Sequence, residues 1–325
     1  MRALACPGSF KGVLSAFAAA KALGKGLEAG GAQVELLPVA DGGEGTADVL
    51  HAARGGTWRE ARVSDPLGRP VVARWLLLPD GTGVVEAAAA VGLPLLAPDE
   101  LDPLRASSRG FGELIAAALD GGTRSLLLCL GGVATVDGGA GMREALAEGR
   151  EAQTNTVLQG SRVACDVSTR LSDAARLYGP QKGASPADVA ELERRLAAMQ
   201  ELEPYADLPG AGAAGGIGAA LAALGAELVP GAALVLGTIG FRERLDGVTL
   251  AITGEGQVDR TTAEGKAPGA VAAACREAGV RCVVVGGRVV EPLAGAETVA
   301  LSGDPARAAE DLCELGVNLA RRYRR

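Results

Sequence analysis

Over the first sixty residues, short apolar runs alternate with stretches of helical period, and glycine-rich loops stand between them. Residues 2–7 form a short apolar strand that runs into Gly8-Ser9-Phe10-Lys11-Gly12. Ser15 then caps a helix that continues to about Glu28 and stops at Gly30-Gly31. Val34 to Val39 read as a second buried strand. It ends in Ala40-Asp41-Gly42-Gly43-Glu44-Gly45, where glycines alternate with two acids. Another helical pattern follows, with Thr46 or Asp48 as its N-cap. This β-α-β-α opening predicts a layered α/β fold.

The texture changes near Arg59. Residues 59–64, 70–78 and 83–87 read as strands, and Asp65-Pro66-Leu67-Gly68 and Pro79-Asp80-Gly81-Thr82 between them are strong turn signals, so an antiparallel meander is expected. A helix at 109–120 follows, closed by Gly121-Gly122. The apolar run Ser125 to Leu130 then enters a second acidic glycine loop, Gly131-Gly132-Val133-Ala134-Thr135-Val136-Asp137-Gly138-Gly139. A polar stretch runs from Gly149 to Gln159, and a further strand ends in Cys165-Asp166-Val167. Ser185-Pro186 opens a helix of about 187–201. Pro209 to Gly216 opens a small-residue helix to about Leu224.

Parallel α/β texture returns at the end, with strands at Val248–Thr253, Cys282–Val285 and Thr298–Leu301, a helix near 267–278 and a C-terminal helix. The expected architecture is therefore two domains. One is a parallel, flavodoxin/Rossmann-like α/β domain built from both chain ends (1–60 and 205–325). The other is an inserted α+β domain (61–204), with the active site in the cleft where the glycine loops collect.

Composition narrows the function. The net charge of −7 disfavours a nucleic-acid partner held by phosphate contacts. No apolar run is long enough to span a membrane. The opening residues lack the apolar region and cleavage site of a secretory signal, so a cytoplasmic location is expected. Six scattered cysteines, none in a Cys-x-x-Cys pair, read as buried thiols. The single histidine, His51, lies in a helical run away from the loops and reads as a surface or packing residue, which leaves chemistry to carboxylates, lysines and backbone amides.

Two nucleotide signatures are weak or absent. Gly210-x-Gly212-x-x-Gly215 matches the dinucleotide fingerprint in spelling, but no strand precedes it; it reads either as an anion-holding helix start or as a close packing site. Gly265-Lys266 is followed by Ala267, so the phosphate-binding loop of P-loop enzymes is missing. Five loops nonetheless pair glycine with charge: Ser9/Lys11, Asp41/Glu44, Asp137, Lys182 and Glu255/Asp259/Lys266. Lysine beside glycine suits phosphate neutralisation, and paired carboxylates suit Mg²⁺. A placed Asp suits the acceptance of a hydroxyl proton. Together they point to a phosphoryl-transfer or phosphate-binding cleft.

These motifs, taken in order, resemble the class I bacterial glycerate kinase family. The matching segments include Ser9-Phe10-Lys11-Gly12, Ala40-Asp41-Gly42-Gly43-Glu44-Gly45-Thr46, Asp65-Pro66-Leu67-Gly68-Arg69 and Gly112-Glu113-Leu114-Ile115. Gly138-Gly139-x-Gly141-Met142, Cys165-Asp166-Val167, Gly179-Pro180-Gln181-Lys182-Gly183-Ala184 and Thr253-Gly254-Glu255-Gly256 continue the series. Asp259, Thr262, Gly265 and Lys266 complete it. The resemblance implies phosphorylation of D-glycerate by ATP with Mg²⁺, usually at the 2-hydroxyl, and a two-domain α/β fold. On that footing Asp41, Asp137 and Lys11 are the catalytic candidates. Ser9, Lys11, Gly12, Gly43, Glu44, Gly131, Gly132, Lys182, Gly212, Gly215, Gly216, Thr262 and Lys266 are expected to bind substrate or phosphate, and Asp166, Glu255 and Asp259 the metal. A homodimer stays open.

The chain departs from the family pattern at several positions. Gly8 replaces an Asp, Val133 and Val136 replace polar residues, and Ser168-Thr169-Arg170-Leu171 stands where Asn-Pro-Leu is usual. Gln257 and Thr261 replace an Arg and a Gln, and the stretch Gly149–Gln159 is short. Two alternatives follow: a kinase for a related hydroxy acid, its pocket made more apolar by Val133 and Val136, or a catalytically weakened homologue that binds a ligand or partner.

Overall fold

The computed structural model describes residues 1–148 and 158–324; most of the polar stretch noted above, residues 149–157, lies outside the described residues. The chain opens with β1 (Arg2–Ala5), α1 (Ala16–Ala29) and β2 (Gln33–Leu36). There follow α2 (Thr46–Arg54), β3 (Thr57–Ser64), β4 (Pro70–Leu77), β5 (Thr82–Glu86), α3 (Arg109–Asp120), β6 (Ser125–Cys129) and α4 (Ala140–Ala147). β7 (Arg162–Cys165), α5 (Pro186–Ala197), α6 (Ala213–Ala223) and β8 (Glu227–Pro230) come next. The last third holds β9 (Leu250–Val258), α7 (Arg260–Ala263), α8 (Ala267–Glu277), β10 (Arg281–Val289), β11 (Glu297–Ala300) and α9 (Ala308–Arg322).

The chain divides into two compact units, Met1–Asp41 with Ala232–Arg325, and Gly42–Gly231. The first unit is a five-stranded sheet of order β11-β10-β9-β1-β2, parallel throughout. Counted within the unit, that is the doubly wound order 2-1-3-4-5, with its reversal between β1 and β9. Side chains alternate across the sheet. Ala3, Ala5, Leu250, Ile252, Val283 and Val285 face α1 and α9, where Leu23, Leu27, Leu312 and Leu319 meet them. Val284 and Val258 face the other way, against Ala272 of α8. Helix α1 lies so close to α9 that a Cβ on Gly26 would sit 1.9 Å from the Cys313 carbonyl oxygen.

The second unit is a six-stranded sheet of order β3-β4-β5-β6-β7-β8. The expected meander forms its antiparallel edge, β3-β4-β5, while β5 to β8 run parallel. Its core gathers Trp75, Phe111, Leu114, Leu128, Val163, Ile217 and Leu221. The division falls at Gly42 and Gly231 rather than near residues 60 and 205. On one side, α2 is tied to this sheet by the Ala47 amide on Glu86 and by Arg74 on Asp48. On the other, α6 leads into β8, which pairs with β7.

Three local expectations change. Neither Thr46 nor Asp48 caps α2: the N-cap is Gly45, in the left-handed region at φ 87°, and offers no side chain. β2 stops at Leu36 instead of Val39, although Leu37 and Val39 still donate to the Ala5 and Pro7 carbonyls. Val133 and Val136, weighed above as apolar lining of a substrate pocket, are instead buried in the core of the second unit. His51 packs on Trp58 at 5.6 Å between ring centres.

Candidate functional site

In the first unit the candidate residues gather at the carboxyl ends of β1, β2 and β9, where an open parallel sheet reverses its winding and binds ligands. Gly8 donates to the Gly254 carbonyl at 2.8 Å, and Val39 donates to Pro7 at 3.0 Å, so the three loops are stitched together. Ser9 is half-buried while Lys11 and Gly12 are exposed. The β9 loop carries the densest polar network. Lys266 Nζ stands 3.3 Å from Glu255 Oε2, and the buried Thr262 hydroxyl donates to Glu255 Oε1 at 2.6 Å. Asp259 caps the short helix α7: its Oδ1 accepts from the Thr261 amide and its Oδ2 from Gln257 Nε2, while its own amide donates to Thr262 Oγ1. The Thr261 hydroxyl, which also donates to Oδ1, and the Gln257 amide hold the Asp259 carboxyl down at about 2. Burial pushes Glu255 up; Thr262 and Lys266 oppose that, and the charge of Asp41 adds to it. Asp41, Glu255 and Lys266 thus form one electrostatic group.

In the second unit the candidates gather at the carboxyl ends of β6 and β7. A Cβ on Gly131 would lie 2.5 Å from Gly43 Cα and 3.1 Å from Asp166 Oδ2, so two backbones meet here as only glycine allows. Gly132 lies beside Glu44. Lys182 is 3% exposed and donates to the Thr135 carbonyl at 2.7 Å. Burial pulls its ammonium from 10.5 down to about 8, against the charges of Asp137 and Asp166. The Thr135 hydroxyl beside it is buried with no hydrogen-bond partner.

Asp137 has a different occupation from the one its motif suggests. Its Oδ2 accepts from the Ser108 amide and hydroxyl, both at 2.8 Å, and from the Gly141 amide at 3.2 Å; its Oδ1 accepts from Gly139 at 3.1 Å. It ties the start of α4 to the start of α3. Gly212, Gly215 and Gly216 are packing positions: Cβ atoms there would strike Arg170 O at 2.3 Å, Thr135 O at 2.2 Å and Gly138 Cα at 2.8 Å. Ala214, Gly215 and Gly216 make a left-handed turn, φ 53°, 68° and 97°, that lets Gly215 O accept from the Gly138 amide.

Among the described residues no three His, Cys, Asp or Glu side chains cluster as a metal cage. Mg²⁺ does not require one, since it takes one or two carboxylates and keeps waters and phosphate oxygens. The like-charged neighbours Asp41 and Glu255 fit that demand. Asp259 spends Oδ1 on Thr261 of α7 and Oδ2 on Gln257 of β9. Asp166 belongs to the second unit. A cavity of about 730 Å³ in the first unit lies instead at the amino ends of β10 and β11, lined by Arg276, Arg281 and Glu297; none of the candidate site residues lines it.

The sequence reading missed Glu86, the last residue of β5. Its Oε1 accepts from the Ala47 amide at 2.7 Å, and a second bond comes from Gly45. Burial raises its carboxyl from 4.5 to about 7, helped by Asp48 and Glu44. The uncapped start of α2, just after a Gly-Gly turn, was the available signal.

The sequence model described as "Glycerate kinase family" matches residues 3–161 and 149–303. Glycerate 2-kinase of Escherichia coli K12 is 43% identical over 309 residues, 84% of this chain and 81% of that protein. Glycerate kinase of Bacillus subtilis 168 is 38% identical over 326 residues, 89% of this chain and 85% of its own. A crystal structure from Salmonella typhimurium LT2, provisionally assigned as glycerate kinase 2, superposes with a TM-score of 0.80 at 33% identity, covering 100% of this chain and 98% of that one.

Proposed function

The chain belongs to the glycerate kinase family, and we propose that it transfers the terminal phosphoryl group of ATP to the 2-hydroxyl of D-glycerate with the help of Mg²⁺. The observation that carries this reading is the family match from residue 3 to 303, which spans every glycine loop described above.

Phosphoryl transfer asks a protein mainly for positioning and charge neutralisation. Lys11 and Lys266 supply positive charge at the carboxyl ends of β1 and β9, and Thr262 and Glu255 hold Lys266 in place. Asp41 orients the acceptor hydroxyl and takes its proton, since Asp137 spends its oxygens on Ser108 and the start of α4. Lys182, buried and donating to the Thr135 carbonyl, carries the charge that a small acid requires. Asp41 and Glu255 would hold Mg²⁺, which supplies charge stabilisation at the phosphate oxygens. The free thiols suit a cytoplasmic setting.

The altered-pocket alternative loses its footing, because Val133 and Val136 face the core. The test is a coupled ADP-release assay with Mg-ATP and D-glycerate, with L-glycerate, tartronate and no acid as controls. Turnover that depends on D-glycerate supports the reading. Turnover with another acid alone, or none in folded protein, overturns it.

A further inference from the structure

Helix α2 begins without a cap of its own. Its N-cap is a left-handed glycine, and a helix start leaves amides that need acceptors. The acceptor comes from a distant part of the chain: Glu86, at the carboxyl end of β5, takes the Ala47 amide at 2.7 Å and the Gly45 amide as well. Thr46 meanwhile donates to the Gly43 carbonyl at 2.7 Å, which closes the turn. That turn rests on the β6 loop, where Gly131 N reaches the Gly42 carbonyl and Gly43 Cα lies against Gly131. Glu86 is thus the side chain that fixes where the Gly43-Glu44 turn sits over the sheet.

We propose that Glu86 is a positioning residue for the phosphorylation reaction, holding the amino end of α2 so that the Gly43-Glu44 turn stays seated on Gly131-Gly132. This rests on the reading of that turn as part of the substrate site.

The titratable groups around Glu86 sharpen the inference. Glu44 on the turn and Asp48 on α2 are both acidic, and Cys129 on β6 is a buried thiol pushed well up. Arg74 of β4, the nearby cation, is spent on Asp48. An anionic substrate at the turn adds one more negative charge. It therefore favours the protonated carboxyl, so that binding of the acid draws a fraction of a proton from buffer onto Glu86.

The experiment compares wild type with Glu86→Gln and Glu86→Ala. The Gln amide oxygen keeps the acceptor for Ala47 but does not titrate. The expected result is kcat/KM for D-glycerate that falls as pH rises through about 7 in wild type, and no such inflection in Glu86→Gln. Glu86→Ala is expected to lose at least about tenfold in kcat/KM at every pH, with Glu86→Gln within about threefold of wild type at pH 6. The same inflection in wild type and Glu86→Gln, or an unaffected Glu86→Ala, overturns the proposal. Urea midpoints of wild type and Glu86→Gln at pH 5.5 and 8 give a readout that needs no turnover. A gap that changes with pH supports a titrating Glu86, and coincident midpoints at both pH values overturn it. Should wild type phosphorylate no glycerate while that gap appears, the functional reading fails and the seat of α2 stands.

Discussion

Replacing Lys182 by Met is expected to make the protein more stable and inactive at once. The ammonium is 3% exposed, and burial lowers its pKa from 10.5 to about 8. At 1.4 kcal/mol per unit, that displacement corresponds to roughly 3 kcal/mol of cost borne by the folded state while the lysine is charged. Removing the amine also strips the Thr135 carbonyl of its 2.7 Å donor, a loss of about 1–2 kcal/mol. The net expectation at pH 7 is a gain of about 1–2 kcal/mol for Lys182→Met, read by urea unfolding. The pH dependence has a definite sign. Below pH 8 the lysine is charged in both states and the folded protein bears the whole cost. Between 8 and 10.5 the unfolded chain holds a proton that the folded one has released, so wild-type stability rises with pH. The gap between variant and wild type therefore narrows over that window. Turnover of D-glycerate should fall at least about a hundredfold in the variant. A Lys182→Met protein less stable than wild type at pH 7, or a gap that stays constant up to pH 10.5, would refute the reasoning.

Lys11→Ala and Asp41→Asn should each lower kcat by about a hundredfold or more in the ADP-release assay; near wild-type turnover in both would remove the first unit's loops from the site. Thr262→Val breaks the 2.6 Å bond to Glu255 and the box with Asp259. It should cost about 1–3 kcal/mol in urea unfolding and lower kcat/KM in the ADP-release assay. Gly26→Ala drives a methyl into the Cys313 carbonyl and should destabilise by about 3 kcal/mol in the same assay, with the KM of the folded fraction unchanged.

Much of the fold was legible because the signals were local. The helix at Arg109–Asp120 was bounded correctly, since apolar positions recur on one face and Gly121-Gly122 ends them. The meander followed from two turn sequences. β8 escaped, because Glu227 and Pro230 leave only Leu228 and Val229 as an apolar signal. In the site, the charged glycine loops were visible as motifs, but their division of labour was not. Asp137 and Asp166 look alike on paper, and only the approach of Ser108, 29 residues away, reveals Asp137 as a tie between two helices. Glu86 lies 39 residues from the amide it serves and stands in no motif.

The strand order of the first unit bears on how the protein is made. β1 pairs with β2 beside it in sequence, but its other edge waits for β9, and α1 waits for α9. At roughly 5–20 residues per second, the ribosome spends on the order of ten to forty seconds on residues 42–231 before that edge can close. During that time the opening β-α-β segment is held only by local contacts, with one strand edge open to other chains. The intervening unit has its own sheet and core and is complete first. Expression yield should therefore depend on what shields residues 1–41 during synthesis, and a chain cut before β9 should aggregate through its first strands even though its second unit is whole.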